Sequence, residues 1–444
     1  MARIKLGLTT ALLLAGAQVA YAADDLQING FLNVTAGVLD TAAIQDAAAT
    51  EGYDTTVGFD PQTLAGLQVA KKVNSNTTAT IQLMSRGATG YDASAAWAYI
   101  TYDLTDSSSF RFGRLRTPFF QYSDFIDVGY AYNWVTPPGI VYRLDSMANI
   151  TGVDFTQRFT AGFVDGAVQL YTGRFKDDFR LYGHTYLMEL RSVAGVALSA
   201  NAGDFGGRLS YHRGEFYIDL DPKGSRSLDQ LAGLSFLYDQ ATGVVSQVPN
   251  SGVAATNITP EIIPQGQQSQ FYEGSLFWDN GSTSLVAEYT ALRHDSAILN
   301  DDNAWLVSAA QRIGDFTVHA TYSQTEDSLK GGSIGTAQKL NSIKANSTTL
   351  GVRYDYNSST AFKVEASYVT RESSDVRQAT AGGAAATYTE ALTNYQTPGH
   401  AAYGDAATLG AASGAFLTGV QSAIAAPLST QSGTLFNVGM SIVF

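Results

Sequence analysis

The chain has 444 residues, a formal net charge of −13 and no cysteine, and its hydrophobic residues (45%) are dispersed rather than gathered into long runs. The acidic balance argues against nucleic-acid binding, which needs a basic footprint. Lack of cysteine excludes zinc-thiolate, haem-thioether and cysteine-nucleophile chemistry, and leaves an extended hydrogen-bonded scaffold as the source of stability.

The N-terminal stretch "MARIKLGLTTALLLAGAQVAYA" carries Arg3 and Lys5, an apolar run over 6–17 and the small-x-small sequence Ala20-Tyr21-Ala22. This pattern predicts a cleavable export signal over 1–22, too short in its apolar part for a spanning helix of roughly 20 residues. Cleavage would leave residues 23–444 and a charge of −15, since Arg3 and Lys5 depart.

Beyond the signal the sequence repeats with a period of two. "LQINGFLNVTAGVLD" predicts a first strand from Leu26 to Leu39. "DFTVHATYSQ" sets Phe316, Val318, Ala320 and Tyr322 against Thr317, His319, Thr321 and Ser323. "TTLGVRYDYN" and "STAFKVEASYVTR" repeat the pattern, with Phe362 and Tyr368 six residues apart, as are Phe316 and Tyr322. Six residues of strand cover roughly 20 Å, so on a tilted strand these rings fall near the edges of an apolar band about 25 Å tall. The last strand, "GTLFNVGMSIVF", ends on an aromatic ring, Phe444, which must be received by something apolar.

Short polar turns fall near Asn74, Asp106, Gly162, Gly203, Asn280-Gly281, Gly314 and Asn357. Longer connections run over about 40–58, 86–93, 117–150, 175–184, 219–269, 295–302, 327–345 and 372–432. Seven short turns and eight long loops join sixteen strands, with both chain ends on the short-turn side. In a bilayer every backbone N–H and C=O needs an internal partner, which a closed sheet supplies. The expected fold is therefore all-β, a transmembrane antiparallel barrel with short periplasmic turns and long outer loops. An eighteen-stranded barrel is the alternative, because "LAGLSFLYDQ" in 219–269 also alternates. That stretch equally reads as a short helix after a capping box at Ser227 and Gln230. Residues 372–432 are expected to form a surface loop, although Leu409, Phe416, Val420 and Ile424 approach helical spacing.

The terminal strand is similar to those that end bacterial outer-membrane proteins, where a final Phe is read by the barrel-assembly machinery. The stretch "FRFGRLRTPFFQYSDFIDVGYAYNWVTPPGIVYRLD" (110–145) resembles a Gram-negative porin family in "GRLR" at 113–116, "DVGYAY" at 127–132 and "PP" at 137–138. The resemblance implies an outer-membrane channel passing small hydrophilic solutes and ions, with outer-membrane lipids and lipopolysaccharide around it. It also implies a homotrimer, no cofactor, and a loop over 117–150 that folds inward to form the constriction.

By the same resemblance Asp124, Asp127 and Asp145 are the acidic side of the constriction, and Arg86, Arg111, Arg114, Arg116 and Arg158 the basic side. Capping of turns and ion pairs within the loop is the other reading of these aspartates. Alternation from outward Phe110 and Phe112 would carry Arg114 and Arg116 into lipid at about 2–4 kcal/mol each near the midplane, so a bulge at Gly113 is expected to turn them inward. Pro137-Pro138 stiffens the loop. From 111 to 191 nine basic residues meet eight acidic ones, so the acidity lies away from this region.

Catalysis finds little footing. His184, His212, His294, His319 and His400 lack metal-ligand spacing, and His212 and His319 read as solvated wall residues. No nucleophile elbow or P-loop occurs. A substrate-specific channel, or an enzyme or adhesin carried on the barrel, remain the rival readings.

Overall fold

The structure is a computed structural model that describes residues 25–44, 47–144, 147–181, 184–219, 265–295, 300–328, 344–373, 390, 394, 400–401, 404–425 and 429–444. Sixteen strands follow in chain order: β1 (Leu26–Leu39), β2 (Leu64–Asn74), β3 (Thr77–Arg86), β4 (Ala93–Thr105), β5 (Ser108–Arg116), β6 (Asn149–Ala161), β7 (Val164–Leu181) and β8 (His184–Ala202). The second half holds β9 (Phe205–Asp219), β10 (Gln265–Asp279), β11 (Thr283–His294), β12 (Asp301–Ile313), β13 (Phe316–Ser328), β14 (Lys344–Asp355), β15 (Thr360–Ser373) and β16 (Ser429–Val443). Each pairs with its sequence neighbours, and β1 closes on β16. β9 pairs directly with β10, so the eighteen-stranded alternative falls; the segment 220–264, with Ser227 and Gln230, lies outside the described residues.

The wall has the polarity of a soluble protein turned inside out. On β13 to β16, Val318, Leu350, Val364 and Phe436 are exposed, while Thr321, Lys363, Glu365 and Asn437 are buried. Exposed apolar side chains on a continuous sheet call for an apolar solvent, and buried polar ones for partners inside. Rings mark the two borders of the band. Phe316 packs on Tyr354 at 4.9 Å near the short turns. Tyr211 with Tyr272 at 5.1 Å, and Trp305 with Tyr322 at 5.3 Å, lie toward the long loops.

The closing seam explains the terminal ring. Phe444 N donates to Gly30 O at 2.9 Å and Gly30 N to Phe444 O at 2.6 Å. A Cβ on Gly30 would stand 2.3 Å from the Phe444 ring, so glycine provides the seat for it.

Two local expectations are corrected. No bulge interrupts Gly113: β5 pairs without a shift from Ser108↔Gln157 to Arg116↔Asn149. Instead Gly113 takes φ +136°, and a Cβ there would stand 2.2 Å from Ala98 O, so the strand continues in a backbone form that glycine alone tolerates well. Within 372–432, expected as surface loop, Ala406–Ala425 forms a helix (α2; the short helix α1 is Ala47–Thr50). Asp405 caps it, its Oδ1 accepting from Ala407 N at 3.0 Å and Thr408 N at 3.3 Å, and alanine-rich composition sustains it. Among the described residues no helix is long and apolar enough to cross a membrane.

Candidate pore constriction

The connection after β5 leaves the wall at Thr117 and runs along the inner face of the barrel. Irregular backbone at this depth needs partners for its polar groups, because neighbouring turns of a helix or strand do not supply them. The wall supplies them. Arg208 of β9 donates to Pro118 O and, at 3.3 Å, to Phe119 O. Lys363 of β15 donates to Gly129 O and Trp134 O, both at 2.5 Å. Arg353 of β14 donates to Tyr130 O at 2.7 Å and Tyr132 O at 2.8 Å. Wall carboxylates take the loop's N–H groups: Gln121 N reaches Glu288 Oε1 at 3.0 Å, and Val135 N reaches Glu365 Oε1 at 2.8 Å. Trp134 Nε1 donates to Thr321 Oγ1 at 2.8 Å, and Arg143 pairs with Asp302 at the outer end of β12.

The loop's rings complete the attachment. Phe119, Phe120, Tyr132, Trp134 and Tyr142 are buried in one cluster with Phe271 of β10 and Leu306 of β12. Burial pushes the phenols of Tyr122, Tyr132 and Tyr142 up, so they stay neutral and Tyr142 donates to Glu288 Oε2 at 2.5 Å.

The first outer connection also comes inward. α1 packs beneath the loop tip, where a Cβ on Gly139 would stand 2.5 Å from Ala48 O. Glu51, at φ +54°, then places its carboxylate between three segments: it accepts from Thr136 Oγ1 of the loop and, at 2.9 Å, from Asn437 Nδ2 of β16. Burial pushes the Glu51 carboxyl up to about 7 despite these two hydrogen bonds.

The charged residues named from sequence separate into groups. Asp127 is buried between Arg86 of β3, at 2.7 Å, and Arg116 at the end of β5, at 2.9 Å. Burial alone would push its carboxyl up, but Arg116 and Arg86 hold it below the usual carboxylate range. Arg111 forks onto Asp154 of β6, with Nε 2.8 Å from Oδ2, and lies 5.4 Å over the Tyr99 ring. Gln169 donates to the same Asp154 at 3.0 Å. Asp124 is exposed on the loop and interacts electrostatically with Arg111. Arg114 shares its register row with Ala98 and Thr151, both exposed on the outward face. Arg158 is exposed near the short turn after β6, four residues or roughly 13 Å along the strand from Asp154. Asp145 lies outside the described residues.

His212 and His319 are corrected: neither is a solvated wall residue. Both are buried, His212 between Tyr171 Oη at 2.5 Å and Ser210 Oγ at 2.8 Å, His319 with Nε2 at 3.4 Å from Glu365 Oε1. Among the described residues no cluster of three His, Asp or Glu is grouped to hold a metal ion. The wall cations Arg208, Arg353 and Lys363 escaped the sequence reading. Alternation places them on the inner face, but their partners are loop carbonyls, which leave no mark in residue type.

A family model described as Gram-negative porin matches residues 9–376. No curated protein sequence matches the chain significantly. Among solved structures, the chain is similar to the outer-membrane channel DcaP of Acinetobacter baumannii (9% identity, 95% of this chain and 97% of that one, TM-score 0.52). It is similar to a loop-deletion mutant of the outer-membrane protein OmpT of Vibrio cholerae (13%, 94% and 99%, TM-score 0.51). An anion-selective porin from Comamonas acidovorans matches at 11% identity over 94% of this chain and 99% of that one, with TM-score 0.50.

Proposed function

Because this chain belongs to the Gram-negative porin family and is an outer-membrane channel for passive diffusion, we propose that its solutes pass an eyelet between the loop after β5 and the wall of β3 to β7. Asp124 forms the loop side, and Arg111 with Asp154 and Gln169 the wall side. Asp127 with Arg86 and Arg116 anchors the loop. The observation that carries this reading is the attachment of the loop to the opposite wall, by three cations and two glutamates, which leaves Asp124 exposed and within electrostatic reach of Arg111.

Charge within the eyelet is balanced. Arg86, Arg111 and Arg116 face Asp124, Asp127 and Asp154, three against three. Small hydrophilic solutes and ions therefore cross with weak charge preference. Arg114 and Arg158 take no part in the eyelet. The protein works as a homotrimer, is exported by the signal over 1–22, and performs no catalysis. Planar-bilayer conductance with salt-gradient reversal potentials tests the reading. Wild type should form open channels with a small reversal potential, and Asp124→Asn should move it toward anions, since one negative charge leaves a narrow lumen. The shift should fade at 1 M salt, where the Debye length is about 3 Å. A reversal potential unmoved by Asp124→Asn at low salt would remove Asp124 from the eyelet.

A further inference from the structure

Every ladder of the barrel but one joins strands that follow each other in the chain. The exception, β1 on β16, joins the two chain ends, from Phe31↔Val443 to Leu39↔Leu435. Bringing such distant segments together costs more chain entropy than closing a hairpin. It is also the place where the closed sheet would part into two unpaired edges.

The inner side of this seam is polar and covered. Asn33 and Thr35 of β1, and Asn437 and Ser441 of β16, are all buried. Residues 127–136 of the loop after β5 lie over it. Asn33 Nδ2 donates to Asp127 O at 2.9 Å. A Cβ on Gly129 would stand 2.5 Å from Asn33 Oδ1 and 2.6 Å from Ser441 Oγ, so the loop rests on both strands at once. Val128 and Val443 both pack on the cluster that holds Phe31. Further along, a Cβ on Gly439 of β16 would stand 3.1 Å from Val135 Cγ1; glycine within a strand suits such a close approach. Thr136 reaches Asn437 through the Glu51 carboxylate. The strand beyond is engaged too, since Lys363 of β15 donates to Gly129 O and Trp134 O. On the opposite wall the inner residues Thr156 of β6 and Gln169 of β7 are only half-buried.

We propose that residues 127–136 are an interior strap that locks β1 to β16, so that the loop laid inside the pore also keeps the barrel shut. Parting the seam would draw Asn33 and Ser441 away from opposite sides of Gly129 and leave buried polar groups without partners, which is costly. Strap and seam therefore open together. A loop that only narrowed the lumen could be anchored on any stretch of wall. This one grips both sides of the ladder that joins the chain ends. The role does not depend on which charges line the eyelet.

The test is hydrogen exchange read by mass spectrometry on the folded protein in detergent micelles, which reports how often each ladder opens. In Gly129→Val the added side chain should lift the strap off Asn33 and Ser441. Amides of 31–39 and 435–443 should then exchange at least tenfold faster than in wild type, while the β6–β7 ladder keeps its wild-type rates. Tenfold is about 1.4 kcal/mol, the size of one lost hydrogen bond. Equal acceleration of both ladders, or none at the seam, would overturn the proposal. Should Gly129→Val give no folded barrel, the same change is made together with Val34→Cys/Met440→Cys, a register pair across the seam, joined by a disulfide in a chain with no other cysteine. The stapled variant should recover the heat-resistant barrel, because the staple replaces the strap. Failure to recover it would overturn the proposal equally.

Discussion

Raising pH should loosen the clasp at Glu51. This carboxylate joins the turn after α1, Thr136 of the loop after β5 and Asn437 of β16. It also lines a cavity of about 10 Å³, room for one water, together with Glu365, Thr349, Ser367 and Trp134. Its carboxyl is pushed up to about 7 by burial, from an ordinary 4.5. The folded clasp therefore holds a proton that the open form releases. Stability from the clasp is full below pH 4.5 and is lost as pH rises through about 7, at about 1.36 kcal/mol for each pH unit between the two, or about 3 kcal/mol in all. That is a change of roughly three hundredfold in the local open–closed ratio, with the barrel itself unaffected. Single-channel recordings at pH 5 and pH 8 should show quiet current in acid and frequent excursions in base. Hydrogen exchange at 134–141 should rise in parallel. Glu51→Gln keeps the shape and the acceptor oxygen but cannot ionise, so its records should be quiet at both values. If wild type and Glu51→Gln change equally with pH, the clasp does not titrate as argued.

Three perturbations probe the scaffold. Deleting Phe444, or replacing Gly30 with Leu so that the ring loses its seat, should cut the yield of heat-resistant barrel in gel-shift assays while the barrels that do form conduct normally. Arginine at Leu350, 61% exposed on the lipid face, should cost about 2–4 kcal/mol and depress folding into bilayers, whereas arginine at Thr156, on the inner row with Asp154, should not. Thr317 and Ser367 share that inner orientation but are buried, and arginine there should disturb the interior. Lys363→Met strands the carbonyls of Gly129 and Trp134 at about 1–3 kcal/mol each; current noise should rise, and a record as quiet as wild type would mean that the rings alone hold the loop.

The strand pattern was legible because alternation constrains both faces at once. A slip of one residue on β13 would put Thr317 and His319 in lipid and Val318 in the lumen, so the register follows from side-chain chemistry alone. Phe444 was legible for the same reason. Legibility ended where two distant segments meet. Glu51 looks like an ordinary loop acid until α1 brings it to Asn437, 386 residues away. Lys363 could be assigned to the inner face, yet nothing in its neighbours announces that two carbonyls from 129 and 134 will surround it. Alternation held through Gly113, where a positive φ stands in place of the expected bulge and Arg114 stays on the outward row, and it failed at Arg116, which ends its strand and turns to Asp127.

These contacts separate the chain's charge from the pore's. A loop laid inside a barrel presents many unpaired carbonyls, and an unpaired buried carbonyl costs about as much as a lost hydrogen bond. Arg208, Arg353 and Lys363 meet that need and are buried in doing so, so none is available to a passing ion. Asp127 is likewise enclosed by Arg86 and Arg116. The formal charge of −13 then says little about selectivity. On the eyelet proposed above, what a solute encounters is set by the few charges left exposed by the anchoring, Asp124 foremost. A single substitution at that exposed position should therefore move ion preference more than the removal of any buried pair, which would act first on the shape of the loop.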